Sequence, residues 1–192
     1  MGENFESVQA FYCSGLKGEL FVPGDKSISH RALIIGGLTI GETIANGLLE
    51  SEDVICTANA IKALGAKVVR KKPGLWSIKG VGIGGFSQPD NVIDCGNSGT
   101  SVRLLMGTVS TCSMNVTFTG DHSLRKRPMD RILIPLSKFG ASFSTYADSK
   151  LPIHISGSEE AIPISYELPV PSAQVRSEER RVGKECSSRW SP

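Results

Sequence analysis

Hydrophobic positions recur with two different spacings in this chain, and the spacing changes where one predicted element gives way to the next. Between residues 51 and 64 apolar side chains fall three or four residues apart, which predicts an amphipathic helix with Ser51 as its N-cap. Residues 66–70 and 75–78 read as two strands joined by a turn at residues 71–74. The pattern therefore predicts a helix followed by a strand hairpin.

The same order of elements returns further along the chain. A helix is predicted from Pro128, and Pro135 is expected to kink it. This helix ends at Gly140 as the earlier one ends at Gly65, 75 residues before, and a second hairpin is predicted over residues 142–155. The returning order indicates an internal repeat.

The repeat extends upstream of both helix–hairpin segments. Short strands are predicted at Glu19 to Val22 and at residues 91–94, and each precedes a helix start with an arginine, at Arg31 and Arg103. Two copies of a strand–helix–strand–helix–strand–strand unit are therefore predicted, with a third beginning near Ile162. Units that repeat in this way stack to bury a shared core. The predicted fold class is α/β (α+β) with mixed sheets.

The first of these helices is predicted over the apolar run that ends at Leu38. The residues expected on its buried face are Ile28, Ala32, Leu33 and Ile35. The candidate N-caps are Asp25, Ser27 and Ser29. A turn at Pro23 and Gly24 is expected to connect this helix start to the strand before it.

Three stretches combine a helix start with groups that attract anions. The first is PGDKSISHR at residues 23–31, which places Lys26 and Arg31 beside the free N–H groups of a helix N-terminus. The second is DCGNSGT at residues 94–100, where Gly96 and Gly99 let backbone N–H groups approach a ligand closely.

The third stretch, GDHSLRKRP at residues 120–128, sets three cations against a proline that is predicted to start a helix. Cations repel a helix N-terminus, and an anionic ligand would remove that conflict. Because all three stretches lie at helix starts of a repeated fold, the expected ligand is a small molecule with several negative charges, such as a phosphorylated metabolite. No P-loop motif is present.

The charge distribution argues against a nucleic-acid partner. The chain has 21 Lys and Arg against 19 Asp and Glu, and residues 176–192 hold the whole excess, five against three. The other 175 residues are balanced and have no general basic field. No apolar run approaches the ~20 residues of a membrane span. The five cysteines show neither a zinc spacing nor a disulfide framework, which favours the cytoplasm.

Two residue types that could carry chemistry are interpreted conservatively. Cys95, beside the second stretch, is either a nucleophile or a small buried residue, and the second interpretation is favoured. His30 and His122 are expected to make local hydrogen bonds and not to bind a metal.

Four motifs, in this order along the chain, resemble those of the 5-enolpyruvylshikimate-3-phosphate synthase (3-phosphoshikimate 1-carboxyvinyltransferase) family. They are PGDKSISHR at residues 23–31, GNSGT at 96–100, KRPM at 126–129 and PSAQV at 171–175, and the resemblance covers residues 13 to 175. It implies transfer of the enolpyruvyl group of phosphoenolpyruvate to the 5-hydroxyl of shikimate 3-phosphate, in the shikimate pathway of aromatic amino acid biosynthesis. It also implies an enzyme without metal or cofactor that the inhibitor glyphosate targets.

The resemblance implies a role for individual residues as well. The residues expected to bind shikimate 3-phosphate are Lys26, Ser27, Arg31, Ser172, Ala173 and Gln174. Those expected to bind phosphoenolpyruvate are Lys26, Gly99, Arg127 and Gln174. No catalytic acid or base is assigned to this chain, because in the family these residues come from a second lobe.

The family's fold has two lobes, each of three repeated units, and its chains are much longer than this one. Residues 1–175 are therefore expected to be a partial first lobe, and residues 176–192, polar and without apolar periodicity, a foreign or disordered tail. The chain alone is expected to be inactive, and the complete protein to be a monomer.

Two alternatives stay open at this point. The first is the related enolpyruvyl transferase that acts on UDP-N-acetylglucosamine, which usually carries a reactive cysteine in the loop equivalent to residues 120–128. That loop has no cysteine here. The second is a non-catalytic anion-binding module, which would bind shikimate 3-phosphate without turnover.

Overall fold

The structure is a computed structural model that describes residues 9, 11–12, 15, 17–146, 148–158 and 160–167. The helices in these ranges are α1 (Lys26–Leu38), α2 (Glu52–Ala63), α3 (Gly99–Val109), α4 (His122–Arg125) and α5 (Asp130–Lys138). The strands are β1 (Ile40–Asn46), β2 (Lys67–Lys72), β3 (Leu75–Val81), β4 (Ile93–Asp94), β5 (Asn115–Thr119), β6 (Ser142–Thr145) and β7 (Ile153–Ser156). Helices and mixed sheets together confirm the predicted fold class.

The strands form two sheets that have the same plan. The first has the order β1-β3-β2 with antiparallel neighbours, and the second has the order β4-β5-β7-β6, in which only β4 and β5 run parallel. Since β5, β7 and β6 occupy the places of β1, β3 and β2, the sheets confirm the repeat. We call α1 to β3 (residues 26–81) the first unit and β4 to β7 (residues 93–156) the second unit.

The helix ends that the glycines predicted are present in both units. α2 begins after Ser51, the predicted N-cap, and the chain leaves it through Gly65 at φ +101°. Gly140 follows α5 at φ +110°. Both values lie in the left-handed region, where a residue without a Cβ is favoured.

The strand predicted at residues 19–22 is wrong. Residues 17–25 have no regular secondary structure, and Phe21 is 99% exposed. A strand needs a partner for its backbone N–H and C=O groups, and no described strand pairs with this segment. β1, for which the sequence pattern gave no boundaries, has the partner β3 on one side.

The predicted buried face of α1 is also wrong in part. Ile28 and Ile35 are 60% and 53% exposed. The residues that α1 buries are Ser29, His30, Leu33, Ile34, Gly36 and Gly37. A Cβ at Gly36 would lie 3.2 Å from the side chain of Ile78 on β3, so the helix backbone itself approaches the sheet closely. Apolar spacing does not detect a face that is made partly of glycine.

The second unit departs from the prediction at one helix start. α5 begins at Asp130 with Met129 as its N-cap, not at Pro128, and it continues through Pro135. The short helix α4 occupies the preceding residues. One hydrophobic core spans both units and includes Leu33, Ile61, Ile78, Leu105, Phe118 and Ile153.

The third predicted unit is described only at its start. Residues 161–167 form no regular strand, although Ile164 and Tyr166 pack against the core. The PSAQV motif and the predicted tail at residues 176–192 lie outside the described residues. None of the described helices has the length and hydropathy needed to span a bilayer.

Candidate functional site

The first of the three candidate anion-binding stretches, residues 23–31, lies at the N-terminus of α1, as predicted. Asp25, one of three candidate caps, is the N-cap, and its Oδ1 accepts a hydrogen bond from the Ile28 N–H at 2.7 Å. Lys26, Ser27 and Arg31 follow on the exposed side of the first turns. Two cations therefore stand beside the positive end of this helix, which favours an anion there.

Lys26 has a carboxylate partner that the sequence did not reveal. Its Nζ forms an ion pair with Asp53, in the first turn of α2, and the Asp53 side chain is only 20% exposed. Acidic residues are common in the first turn of a helix because they interact favourably with the helix dipole, so Asp53 did not stand out in the sequence. The pairing depends on the packing of α1 against α2 and is not a local signal.

The second stretch forms a tight turn into α3. Gly96 has φ +55°, and its N–H donates to Oδ1 of Asp94 at 2.8 Å. Ser98 caps α3 by accepting from the Ser101 N–H at 3.1 Å. The cap fixes the first turn of α3, where Gly99 is buried.

Gly99 lies against two guanidinium groups. A Cβ there would be 3.1 Å from Nη1 of Arg127 and 3.4 Å from Nη1 of Arg103. Because glycine has no side chain, the backbone at the helix start and both cations border the same small space. This arrangement suits a compact anion that accepts from backbone and guanidinium donors together.

The second and third stretches are joined by hydrogen bonds. The Asp121 N–H donates to the Gly96 carbonyl at 2.9 Å. The Asn97 side chain links the two stretches, since its Nδ2 donates to Oδ2 of Asp121 at 2.6 Å and its Oδ1 accepts from Nη2 of Arg127 at 3.1 Å. The N–H of Leu124, together with Asn97, holds the pKa of Asp121 below its usual value. Asn97 thereby fixes the Arg127 guanidinium next to Gly99.

The electrostatic conflict predicted for the third stretch is not present. Arg125 lies in the last turn of α4 and Lys126 is its C-cap, so these cations adjoin carbonyl groups and not free N–H groups. The helix that follows begins with Asp130, an acidic residue suited to an N-terminus. The prediction was wrong because the sequence pattern did not separate α4 from α5.

The interpretation of Cys95 as a buried residue is supported. Its side chain is fully buried, and burial, with smaller effects of Cys56 and Asp94, raises the pKa of its thiol strongly. A thiol that stays protonated is a poor nucleophile. His30 is buried and its Nδ1 lies 2.8 Å from the Thr57 hydroxyl. Within the described ranges no three His, Cys, Asp or Glu side chains cluster so as to hold a metal.

The predicted site residues fall into two groups. Lys26, Ser27, Arg31, Gly99 and Arg127 are described and lie at or beside the starts of α1 and α3, whereas Ser172, Ala173 and Gln174 lie outside the described residues. Three side chains of the site were missed. Asp53 pairs with Lys26, Asn97 accepts from Arg127, and Asp121 holds Asn97 in place.

Comparison with known proteins agrees with the motifs and the repeat. A family model described as EPSP synthase (3-phosphoshikimate 1-carboxyvinyltransferase) matches residues 13–178. The chain belongs to the EPSP synthase family. The 3-phosphoshikimate 1-carboxyvinyltransferase of Ruegeria sp. (strain TM1040) is 58% identical over 164 residues, which are 85% of this chain and 36% of that protein. The enzyme of the same name from Rhodopseudomonas palustris (strain BisA53) is 54% identical over 171 residues, or 88% of this chain and 38% of that protein.

Solved structures of the EPSP synthase family show the same fold. The EPSP synthase from Acinetobacter baumannii superposes with a TM-score of 0.82 at 41% identity, over 86% of this chain and 38% of that one. The chain thus spans a little over a third of the length of its relatives, and it contains only part of their fold.

Proposed function

We propose that this chain supplies one wall of an EPSP synthase active site. The reaction transfers the enolpyruvyl group of phosphoenolpyruvate to the 5-hydroxyl of shikimate 3-phosphate and releases phosphate. The observation that carries the proposal is the arrangement around Gly99, where a helix N-terminus, Arg127 and Arg103 border one small space. Membership of the family supports the choice of reaction.

The chemistry of the substrates matches this arrangement. Each substrate carries a phosphate and a carboxylate, so the site must neutralise several negative charges at once. We assign Lys26, Ser27 and Arg31 to shikimate 3-phosphate, and Lys26, Gly99 and Arg127 to phosphoenolpyruvate. The further contacts predicted for Ser172, Ala173 and Gln174 are proposed on the resemblance alone.

These residues act by binding and electrostatic stabilisation. The reaction protonates the methylene carbon of phosphoenolpyruvate, adds the 5-hydroxyl to the neighbouring carbon and then eliminates phosphate from the tetrahedral intermediate. Fixed guanidinium, ammonium and backbone donors stabilise the charge of that intermediate, and holding both substrates in one cleft aligns the reacting atoms. We assign no acid or base to this chain. Its inactivity in isolation, the monomeric state, the cytoplasmic location and inhibition by glyphosate stay predictions.

The two alternatives are not favoured. The relatives that match at 54–58% identity are named 3-phosphoshikimate 1-carboxyvinyltransferase and not UDP-N-acetylglucosamine enolpyruvyl transferase. Residues 120–128, which contain Arg127, have no cysteine. A non-catalytic module would use the same cations, and it is not favoured because the matching relatives are named as enzymes.

Calorimetric titration of the 192-residue chain tests the proposal. Shikimate 3-phosphate should bind more tightly than ATP, and Arg31→Ala should weaken that binding by ~1.5–3 kcal/mol because a charged hydrogen-bond partner of the phosphate is lost. Lys67→Ala, which removes an exposed cation from β2, is the matched control and should leave the affinity unchanged. Binding of ATP as tight as that of shikimate 3-phosphate, or equal affinities of the Arg31 and Lys67 variants, would contradict the assignment.

A further inference from the structure

A chain of buried hydrogen bonds connects three helices beneath the candidate site. His30 on α1, Thr57 on α2 and Ser101 on α3 have no exposed surface, and Ser98 at the start of α3 is 1% exposed. His30 Nδ1 lies 2.8 Å from the Thr57 hydroxyl, Thr57 lies 2.6 Å from the Ser101 hydroxyl, and Ser101 lies 2.6 Å from the Ser98 hydroxyl. The path therefore runs from the first anion-binding stretch to the second.

The backbone of Asp53 takes part in the same chain. Its carbonyl oxygen lies 3.2 Å from the Ser101 hydroxyl and 3.3 Å from the Thr57 hydroxyl. The side chain of Asp53 forms the ion pair with Lys26. The hydroxyls thus contact both the residue that holds Lys26 and the residue that caps the helix of Gly99.

A hydroxyl has one proton and two acceptor positions, so each member of the chain depends on its neighbours. If His30 donates from Nδ1, Thr57 accepts from it and donates onward to Ser101, which donates to Ser98. If Nδ1 is an acceptor, Thr57 donates to it and the Ser101 hydroxyl donates to Thr57. In either arrangement Thr57 contacts two neighbours at once. Its loss removes the two short contacts of the path and leaves the longer contact of 3.5 Å between His30 Nδ1 and the Ser101 hydroxyl.

Stability alone does not account for this choice of residues. Replacing paired polar groups by apolar groups of the same shape is nearly neutral for folding, and the surrounding core is apolar. Hydrogen bonds differ from apolar contacts because they are directional and keep two helices in one relative position. Such a connection matters most where a small displacement separates groups that must bind one ligand.

We propose that Thr57 and Ser101 are positioning residues for substrate binding. Their hydroxyls hold the start of α1, with Lys26 and Arg31, against the start of α3, with Gly99, at the separation that the two substrates require. The inference rests on the proposed function, and it adds residues that touch no substrate themselves.

Thr57→Val tests the proposal in the 192-residue chain, because valine keeps the shape of threonine and removes the hydroxyl. The matched control is Thr108→Val, since Thr108 is 4% exposed on α3 and its hydroxyl donates only within that helix, to the Leu104 carbonyl at 2.8 Å. Thr57→Ser keeps the hydroxyl and is the rescue variant. The readouts are the calorimetric affinity for shikimate 3-phosphate, the midpoint of urea unfolding, and the amide resonances of Lys26 to Arg31 and of Gly99.

We expect Thr57→Val to weaken shikimate 3-phosphate binding about fivefold, and Thr57→Ser to stay within about twofold of the parent chain. Thr108→Val should bind as the parent does, although both valine variants lose a buried hydroxyl and unfold earlier. In Thr57→Val the resonances of both helix starts should shift, whereas in Thr108→Val those of α1 should not.

Three outcomes count against the inference, and they are distinguishable. If the parent chain binds shikimate 3-phosphate and Thr57→Val binds it equally well, the positioning role is wrong and the proposed function stands. If the parent chain itself fails to bind, the proposed function is overturned, and the positioning role is overturned with it. If Thr57→Val loses affinity and Thr57→Ser shows the same loss, the hydroxyl of Thr57 is not the group that positions the two helix starts.

Discussion

The connection between β1 and α2 in the first unit is built differently from its counterpart between β5 and α5 in the second unit. In the first unit it is residues 47–51, where the Glu50 carboxylate accepts hydrogen bonds from Arg70, from the Gly74 N–H and from Trp76 of the adjoining hairpin. In the second unit it is residues 120–129, which contain α4 and the cations that end at Arg127. One connection therefore serves the hairpin and the other serves the candidate site.

The backbone framework of the two connections is nevertheless the same. Leu48 donates its N–H to the Gly74 carbonyl at 3.0 Å, and Met129 donates its N–H to the Ser149 carbonyl at 2.9 Å, so each connection is tied to the turn of its own hairpin. The comparison shows that the two connections share a backbone scaffold and differ in the side chains that they carry. Three predictions address this division.

The largest effect, on the free energy of unfolding, is expected from two glycines that occupy equivalent places in the two units. A Cβ at Gly80 would lie 2.2 Å from the Thr39 carbonyl oxygen, and one at Gly157 would lie 2.2 Å from the Cys112 carbonyl oxygen, so each glycine packs against the end of the first helix of its unit. Neither backbone can yield as a flexible side chain would. Gly80→Ala and Gly157→Ala should each lower the free energy of unfolding by about 3 kcal/mol, at the upper end for overpacking.

Urea unfolding followed by circular dichroism measures this loss in both variants. Gly15→Ala is the control, because a Cβ there meets nothing within 4 Å. If only one of the two variants is destabilised beyond the control, the close contact between glycine and helix end is needed in one unit and not in the other.

The next prediction contrasts Arg127, which is expected to affect ligand binding, with Glu50, which is expected to affect stability. Arg127→Ala should weaken phosphoenolpyruvate binding by ~1.5–3 kcal/mol and leave the unfolding midpoint nearly unchanged, because the side chain is exposed. Glu50→Gln should lower stability at neutral pH and leave phosphoenolpyruvate binding unchanged. Calorimetry and unfolding measured on both variants give the four values needed.

The pH dependence of stability tests whether the negative charge of Glu50 is the source of its stabilising effect. The Arg70 guanidinium, with the Gly74 N–H and Trp76, lowers the pKa of Glu50 from 4.5 to about 2 in the folded chain. A lowered pKa means that the contribution is complete above pH 4.5 and is lost as the pH falls towards about 2. The difference in stability between the parent chain and Glu50→Gln should therefore shrink across this window. A constant difference from pH 7 to pH 2 would show that the charge of Glu50 is not what stabilises the hairpin.

The smallest effect is expected at Gly99, within the site itself. In Gly99→Ala the added methyl group would lie 3.1 Å from Nη1 of Arg127, so the guanidinium must shift by a few tenths of an ångström while it keeps its hydrogen bond to Asn97. We expect a loss of about 1 kcal/mol for phosphoenolpyruvate, by analogy with one added methyl in a pocket, and a larger loss for glyphosate, which is bulkier along one edge. Calorimetric titration of parent and variant with both compounds measures the two losses, and equal losses would contradict the placement of Gly99 against this ligand.

Local signals explain what the sequence predicted well. Ser51 and Gly65 mark the ends of α2 because capping and left-handed backbone are properties of one or two residues. The three anion-binding stretches were recognisable for the same reason, since each combines its glycines or cations within one short segment. The repeat followed from the regular return of such signals.

Long-range packing explains what the sequence did not predict. The strand proposed for residues 19–22 failed because strand propensity says nothing about a partner. The pairs Lys26–Asp53 and Asn97–Arg127 join residues far apart in the sequence, and no local pattern indicates them. The helix start was misplaced at Pro128 because the proline signal does not show that a separate turn of helix precedes α5.

The ion pair between Lys26 and Asp53 means that the candidate site is not a bare cluster of positive charge. Under the proposed assignment, a substrate phosphate at Lys26 meets an ammonium group that already has a carboxylate partner, so binding exchanges one anionic partner for another. The gain in energy is then the difference between two anions, smaller than either contact alone. In return, the Asp53 carboxylate offsets one positive charge beside the start of α1 and fixes the position of the Lys26 ammonium group.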